Sequence, residues 1–214
     1  MIVMKNSLES KSISFSYDSS MQFNFPDINL SESDSLLILG DSGVGKTTFI
    51  QILAGLLIPK HGSIKLDNTI YGNLSKKEMD KFRGKNIGMI FQRPHFVRNI
   101  SVLNNLLLSL YLSKSIQYRK SAIQLLQEVG LGNKLESLPN ELSEGEQQRA
   151  SIALALVKNP SLILADEPTS SLDDTNCHKI ITLLKEQAVI RKSKLIIITH
   201  DNRLKSQFDK SIIL

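Results

Sequence analysis

Gly40-Asp41-Ser42-Gly43-Val44-Gly45-Lys46-Thr47 is the stretch that decides the fold. It matches G-x-x-x-x-G-K-[ST] and lies between two patterned segments. Ser35 to Leu39 before it is short and mostly apolar, and reads as a strand. Thr47 to Leu57 after it carries Ile50, Leu53, Ala54 and Leu57 at helical spacing, with Pro59 and Gly62 beyond as breakers. Glycines allow a strand-to-helix loop to turn so that backbone N–H groups converge on phosphate oxygens. The positive end of the following helix adds to that field. Lys46 is placed to reach the β- and γ-phosphates of a nucleotide, and Thr47 to offer its hydroxyl to Mg2+.

Two later strands end in residues suited to the same site. Leu162 to Ala165 is a buried-strand pattern ending in Asp166-Glu167. A carboxylate at the C-terminal tip of a parallel strand faces the ligand crevice of such sheets. Asp166 is expected to hold Mg2+, and Glu167 to polarise an attacking water. Leu195 to Thr199 is a second buried strand, ending in His200, which can hydrogen-bond a γ-phosphate or that water.

The remaining pattern fills in an α/β architecture. Strands are expected at Ser12 to Tyr17, Ser63 to Tyr71, Ile87 to Phe91 and near Ser211. Helices are expected at Lys76 to Phe82, Ser143 to Lys158 and Asp173 to Gln187, with two more between Ser101 and Gly130 that part near Ser113 to Gln117. Short apolar strands alternating with helices imply a largely parallel sheet covered on both faces. The helical block at about 94–158 interrupts the alternation and is expected to be a subdomain inserted into a single domain spanning 1–214. Leu103, Leu106, Leu107 and Leu110 are spaced to form its core.

Composition narrows the class. The 214 residues are 41% hydrophobic and 22% charged, which suits a folded domain. No apolar stretch approaches the roughly 20 residues of a membrane span, and MIVMKNSLES lacks the apolar core of a secretion signal. One cysteine, Cys177, excludes an internal disulfide and a cysteine-built zinc site. The net charge of +5 includes a basic cluster from Lys76 to Arg98, interleaved with acids and apolar residues; work near an anionic membrane surface or simply a solvated face explains it, and no nucleic-acid partner is expected.

The segment Leu142-Ser143-Glu144-Gly145-Glu146-Gln147-Gln148-Arg149 separates this chain from other phosphate-loop proteins. With its spacing to Asp166-Glu167-Pro168-Thr169-Ser170-Ser171-Leu172-Asp173, the chain resembles the ATP-binding cassette (ABC) ATPases over essentially its whole length. The resemblance implies ATP and Mg2+ as ligands, a phosphate-loop core of ABC type with an N-terminal antiparallel β portion, and the following roles. Tyr17 would stack on adenine; Gly40 to Thr48, including Asp41, Ser42, Gly43, Val44, Gly45 and Thr48, would form the phosphate loop. Gln92 would touch Mg2+ or the water and link the site to the helical subdomain. Ser143 and Gly145 would clasp the γ-phosphate of ATP held by an opposite subunit. Ser171, Leu172 and Asp173 would lie at the dimer interface, and His200 would be the switch histidine.

That set implies a homodimer with ATP sandwiched between subunits, because the signature lies too far from its own phosphate loop across the inserted helices. It also implies an integral membrane permease as partner, and a peripheral location at the cytoplasmic face of the inner membrane. Leu74-Ser75, Phe82-Arg83, Ile87-Gly88, Phe91-Gln92, Phe96 and Val102-Leu103 resemble the lipoprotein-release and macrolide-export subgroup. Ser170-Ser171 and Leu154 depart from that subgroup, and Glu144 and Glu146 depart from the commonest signature. Glu144 is expected to point away from the clamp. A cell-division type of signalling ATPase, with no transported solute, would carry the same motifs; a DNA-repair ATPase of the family would need coiled coils or zinc modules.

Overall fold

The structure, a computed structural model, describes residues 7–18, 22–113, 119–170 and 172–214. Its centre is a parallel sheet in the order β10-β4-β9-β8-β7, formed by β4 (Ser35–Leu39), β7 (Ile87–Ile90), β8 (Leu162–Asp166), β9 (Lys194–Thr199) and β10 (Lys210–Ile213). Side chains alternate across a sheet, so the central strands feed two cores. Leu37, Ile163, Ala165, Leu195 and Ile197 face one, which is completed by the helices α3 (Val102–Leu112), α4 (Arg119–Glu128), α5 (Glu144–Leu156) and α6 (Asp174–Arg191). Leu36, Ile38, Leu162, Leu164, Ile196 and Ile198 face the other, with α1 (Lys46–Leu53), α2 (Lys76–Asn86) and an antiparallel sheet. Burial on both faces explains why every residue of β9 is buried and why these strands read as unbroken apolar runs.

The antiparallel sheet has β1 (Ser7–Phe15) at its centre, paired on one side with β2 (Phe23–Asn24) and β3 (Ile28–Ser31) and on the other with β5 (His61–Leu66), which pairs in turn with β6 (Thr69–Ile70). It is therefore not purely N-terminal: two of its strands come after the phosphate loop. The strand expected at 12–17 begins earlier and ends at Phe15. A bulge with Ser12 at φ 50° shifts the pairing between Lys11 and Ser14 and breaks the period-2 pattern. Ser10, on the core side, is buried because its hydroxyl accepts the Ile28 N–H at 3.2 Å.

Three other boundaries moved for local reasons. The strand expected across 63–71 is a hairpin, turning at Asp67 with φ 54° so that Leu66 faces Thr69. α1 stops at Leu53 rather than Leu57. Gly55 takes φ 66°, the Leu56 N–H donates to Gln51 O and the Gly55 N–H to Ile52 O, a Schellman stop. α2 runs on to Asn86, held at its start by a Ser75/Glu78 capping box; Met79 is its one buried residue, so it carries almost no apolar periodicity. Between α3 and α4, residues 114–118 lie outside the described residues. Leu103, Leu106 and Leu110 are buried core, with Leu107 packed against them.

Candidate active site

The sheet register collects the functional residues. Leu39 lies opposite Thr199, Ile198 opposite Asp166, and Ala165 opposite Ile90. The phosphate loop after β4, His200 after β9, Asp166-Glu167 at the end of β8 and Gln92 just after β7 thus sit side by side along one carboxyl edge. There they line a cleft of about 530 Å³ that includes Asp41, Ser42, Gly43, Gly45, Lys46, Thr47, Thr48, Gln92, Asp166, Glu167 and His200. This is where open α/β sheets hold their ligands.

The loop is built for close backbone approach. Gly43 and Gly45 have φ 90° and 98°, which L side chains rarely adopt. A Cβ on Gly45 would lie 2.6 Å from Cδ1 of Phe23. Gly40 and Val44 are absent from the cleft lining and back the loop instead: a Cβ on Gly40 would meet Val44 Cγ2 at 3.0 Å. Among the described residues no side chain caps α1, and its first turn has no acidic residue, so its N-terminal N–H groups are left for a ligand in the cleft. Lys46 is folded over the loop, its ammonium donating to Gly40 O at 2.6 Å and Asp41 O at 2.7 Å.

The acidic side is tied to the loop directly. The Thr47 hydroxyl donates to Asp166 Oδ2 at 3.3 Å. Burial, with repulsion from Glu167 adding to it, raises the Asp166 pKa above the ordinary carboxylate value, although the Thr47 bond opposes the shift. Glu167 sits at φ 50° with its N–H donating to Ile198 O. Its Oε2 accepts from the Thr199 hydroxyl at 2.8 Å. Its Oε1 accepts from the His200 N–H at 3.0 Å and lies 2.7 Å from His200 Nδ1. The hydroxyl and carboxylate oxygens of Thr47 and Asp166 are the hard donors that Mg2+ prefers. Three carboxylates, Asp41, Asp166 and Glu167, against the single ammonium of Lys46 leave a cleft that suits a triphosphate only with a divalent ion.

Some expected residues lie elsewhere. Tyr17 is 65% exposed beside the cleft; its ring is edge-on to Phe15 and Phe23, and its hydroxyl is 3.1 Å from Thr48 Oγ1. Ser143 and Gly145 do not line the cleft. Ser143 caps α5: its oxygen accepts the Glu146 N–H, while Glu146 Oε2 accepts the Ser143 N–H at 2.8 Å. Those hydrogen bonds hold the Glu146 carboxyl below its ordinary range. The departure to Glu at position 146 thereby completes a capping box. Glu144 is exposed, as Ser143 is, and borders a groove shared with Gln92, Arg93 and Gln147. Asp173 caps α6 by accepting the Asn176 N–H at 2.9 Å, and Ser171 lies outside the described residues. Phe23 was missed by sequence reasoning. It lines the cleft from a strand of two residues, too short to show a pattern; its nearness to Phe25 and Tyr17 was the available signal.

A parallel sheet with a glycine loop, a lysine, a hydroxyl–carboxylate pair and a second carboxylate in the cleft defines a nucleoside triphosphatase of the phosphate-loop class. Residues 24–170 match the ABC transporter family model. The chain is 39% identical over 189 residues to "Lipoprotein-releasing system ATP-binding protein LolD" of Wigglesworthia glossinidia brevipalpis, covering 86% of this chain and 82% of the relative. It superposes on the ATP-binding cassette MJ0796, solved as a dimer in a post-hydrolysis state with ADP and Pi. The TM-score is 0.83 at 31% identity, covering 97% and 94% of the two chains. It also matches cbiO1 from Clostridium perfringens, part of the ABC transporter complex cbiONQ, with TM-score 0.85 at 27% identity and coverage of 98% and 84%. The chain belongs to the ABC transporter family. It is an ATPase of the cassette type, with ATP as nucleotide and Mg2+ as its accompanying ion.

Proposed function

We propose that this chain is the ATP-hydrolysing subunit of a membrane complex of the lipoprotein-release type, in which ATP-driven closure of two copies is coupled to extraction or export of a substrate. The observation that carries the reading is the split between cleft and signature. The phosphate loop, Gln92, Asp166, Glu167 and His200 share one cleft, while Ser143 and Gly145 are outside it at the exposed start of α5. A helix N-terminus is an anion site; the capping box of this one uses the Ser143 and Glu146 N–H groups, and the Glu144 and Gly145 N–H groups with the Ser143 hydroxyl would meet the γ-phosphate of ATP on a second copy. Two chains facing head to tail would then enclose two nucleotides. The dimeric state of the cassette MJ0796 supports this arrangement.

Within each site, Lys46 and the loop N–H groups would hold the phosphates, with Tyr17 against the adenine. Thr47, Asp166 and Gln92 would hold Mg2+, which when bound neutralises charge on the phosphates. Glu167 would accept a hydrogen bond from the attacking water and so polarise it, aided by His200, during in-line attack on the γ-phosphorus. Helices α3–α5, at about 94–158, would act as the subdomain that passes closure to the partner through Gln92. Among the described residues no helix is long and apolar enough to cross a membrane. A membrane subunit would therefore hold the chain at the cytoplasmic face of the inner membrane, and membership of cbiO1 in a transporter complex supports such a partner.

Affinity purification from native membranes with Glu167→Gln and ATP tests this reading. Recovery of a permease with a large extracytoplasmic domain is expected. Recovery of a division-site membrane protein with wall-remodelling factors would replace transport by signalling.

A further inference from the structure

The Glu167 carboxylate is held by a residue outside the motifs discussed so far. Thr199, the last residue of β9, is almost fully buried at 1% exposure. Its hydroxyl makes two hydrogen bonds of fixed sense. It accepts the Asp201 N–H at 3.0 Å, so its one proton goes to Glu167 Oε2 at 2.8 Å. A hydroxyl carries one donor and two acceptor sites, and here a backbone amide that can only donate leaves the proton to the carboxylate. Glu167 is fixed from its other end too, because its backbone stands at φ 50° with its N–H bonded to Ile198 O. With Oε2 held by Thr199, Oε1 is the oxygen on the side of His200, which lines the cleft.

We infer that Thr199 is a positioning residue for hydrolysis: its hydroxyl anchors Oε2 of Glu167 so that Oε1 faces the attacking water. This rests on the reading of Glu167 as the group that polarises that water. Thr199 does not touch nucleotide itself, since it is absent from the cleft lining. Its contribution passes through a charge-assisted hydrogen bond, the stronger kind; without it the carboxylate would be held only at Oε1, by the His200 N–H and ring, and could pivot about that oxygen away from its productive orientation. Serine keeps the hydroxyl and its polarity. Valine keeps the shape but leaves Oε2 and the Asp201 N–H without their partner.

The test uses the full chain and compares Thr199→Val, Thr199→Ser and Glu167→Gln with the Val/Gln double variant. Thr199→Val is expected to lower kcat about thirtyfold, equivalent to about 2 kcal/mol at 1.36 kcal/mol per tenfold. KM and ATP affinity should stay within about twofold, and Thr199→Ser should recover most of the turnover. In the Glu167→Gln background, Thr199→Val should add less than about twofold, because the two residues act as one unit. Thr199→Ala carries the same comparison if the valine variant loses nucleotide affinity through misfolding. Equal losses in Ser and Val, a rise in KM without a fall in kcat, or a full multiplicative loss in the double variant would overturn the inference while leaving Glu167 in its role. Parental turnover in Glu167→Gln alone would overturn the Glu167 reading and this inference with it.

Discussion

Gly45→Ala is the substitution for which the structure gives the most complete accounting. Gly45 and Gly43 sit in one loop with nearly the same backbone, φ 98° and 90°. Left-handed backbone costs an L residue roughly 1–2 kcal/mol, and both alanine variants carry that cost. Only Gly45 adds a collision: the new Cβ would lie 2.6 Å from Phe23 Cδ1 and 2.9 Å from Cε1, whereas among the described residues nothing lies within 4 Å of a Cβ on Gly43. Phe23 cannot simply turn aside. Its ring stacks on Phe25 at 6.0 Å and 6° and stands edge-on to Tyr17 at 6.5 Å, and Phe25 stacks on Phe49 of the core at 4.5 Å. Overpacking of this kind costs about 1–3 kcal/mol. Unfolding of the nucleotide-free protein in urea should therefore show Gly43→Ala destabilised by about 1–2 kcal/mol and Gly45→Ala by about 2–5 kcal/mol. Truncating Phe23 to Ala should relieve the collision at position 45, giving a coupling of about 1 kcal/mol or more between the two sites, and should leave position 43 additive. Equal costs at 43 and 45, or no coupling with Phe23, would mean that Phe23 does not wall off position 45.

Three further outcomes follow from the same geometry. Lys46→Ala should remove most ATP turnover, by at least about a hundredfold, since a preorganised charge on the phosphates is lost; steady-state phosphate release checks it. Because the Asp166 pKa is raised in the fold, the folded state binds its proton more tightly than the unfolded chain does. Stability from this group is present at low pH and declines as pH climbs from the unfolded value through the raised one. Asp166→Asn should accordingly raise the nucleotide-free Tm at neutral pH while abolishing Mg2+-dependent stabilisation by ATP, both read by calorimetry. The buried ammonium of Lys194 pairs with the part-exposed carboxylate of Asp67. Asp67→Ala leaves that buried charge alone and should cost about 3–5 kcal/mol, whereas Lys194→Met leaves only a wetted carboxylate and should cost clearly less in the same urea titration.

The fold was legible where local pattern and tertiary environment agree. β4, β8 and β9 are covered on both faces, so their apolar runs needed no alternation to be seen, and the phosphate loop announced the strand before it and the helix after it. The antiparallel sheet was harder. Ser10 is polar yet buried, and Ser12 bulges, so β1 lost its alternation. β2 is two residues long, and Phe23 with it went unnoticed although it forms the wall against Gly45. α2 has one buried side chain and shows itself through its capping box rather than through periodicity. The convergence of Gln92, Asp166, Glu167 and His200 was readable as a set of strand ends. What the sequence could not display was hydrogen-bond sense, and it is that sense which ties Thr199 to Glu167.

In the head-to-tail dimer proposed above, each ATP is completed by the signature of a second copy. The most direct test is the solution mass of Glu167→Gln, with and without ATP and Mg2+, by light scattering after size exclusion, alongside the same variant carrying Ser143→Arg. ATP should double the mass of Glu167→Gln, and Ser143→Arg should abolish the doubling while each chain still binds ATP. A single-chain mass with ATP bound, or a dimer indifferent to Ser143→Arg, would contradict that arrangement.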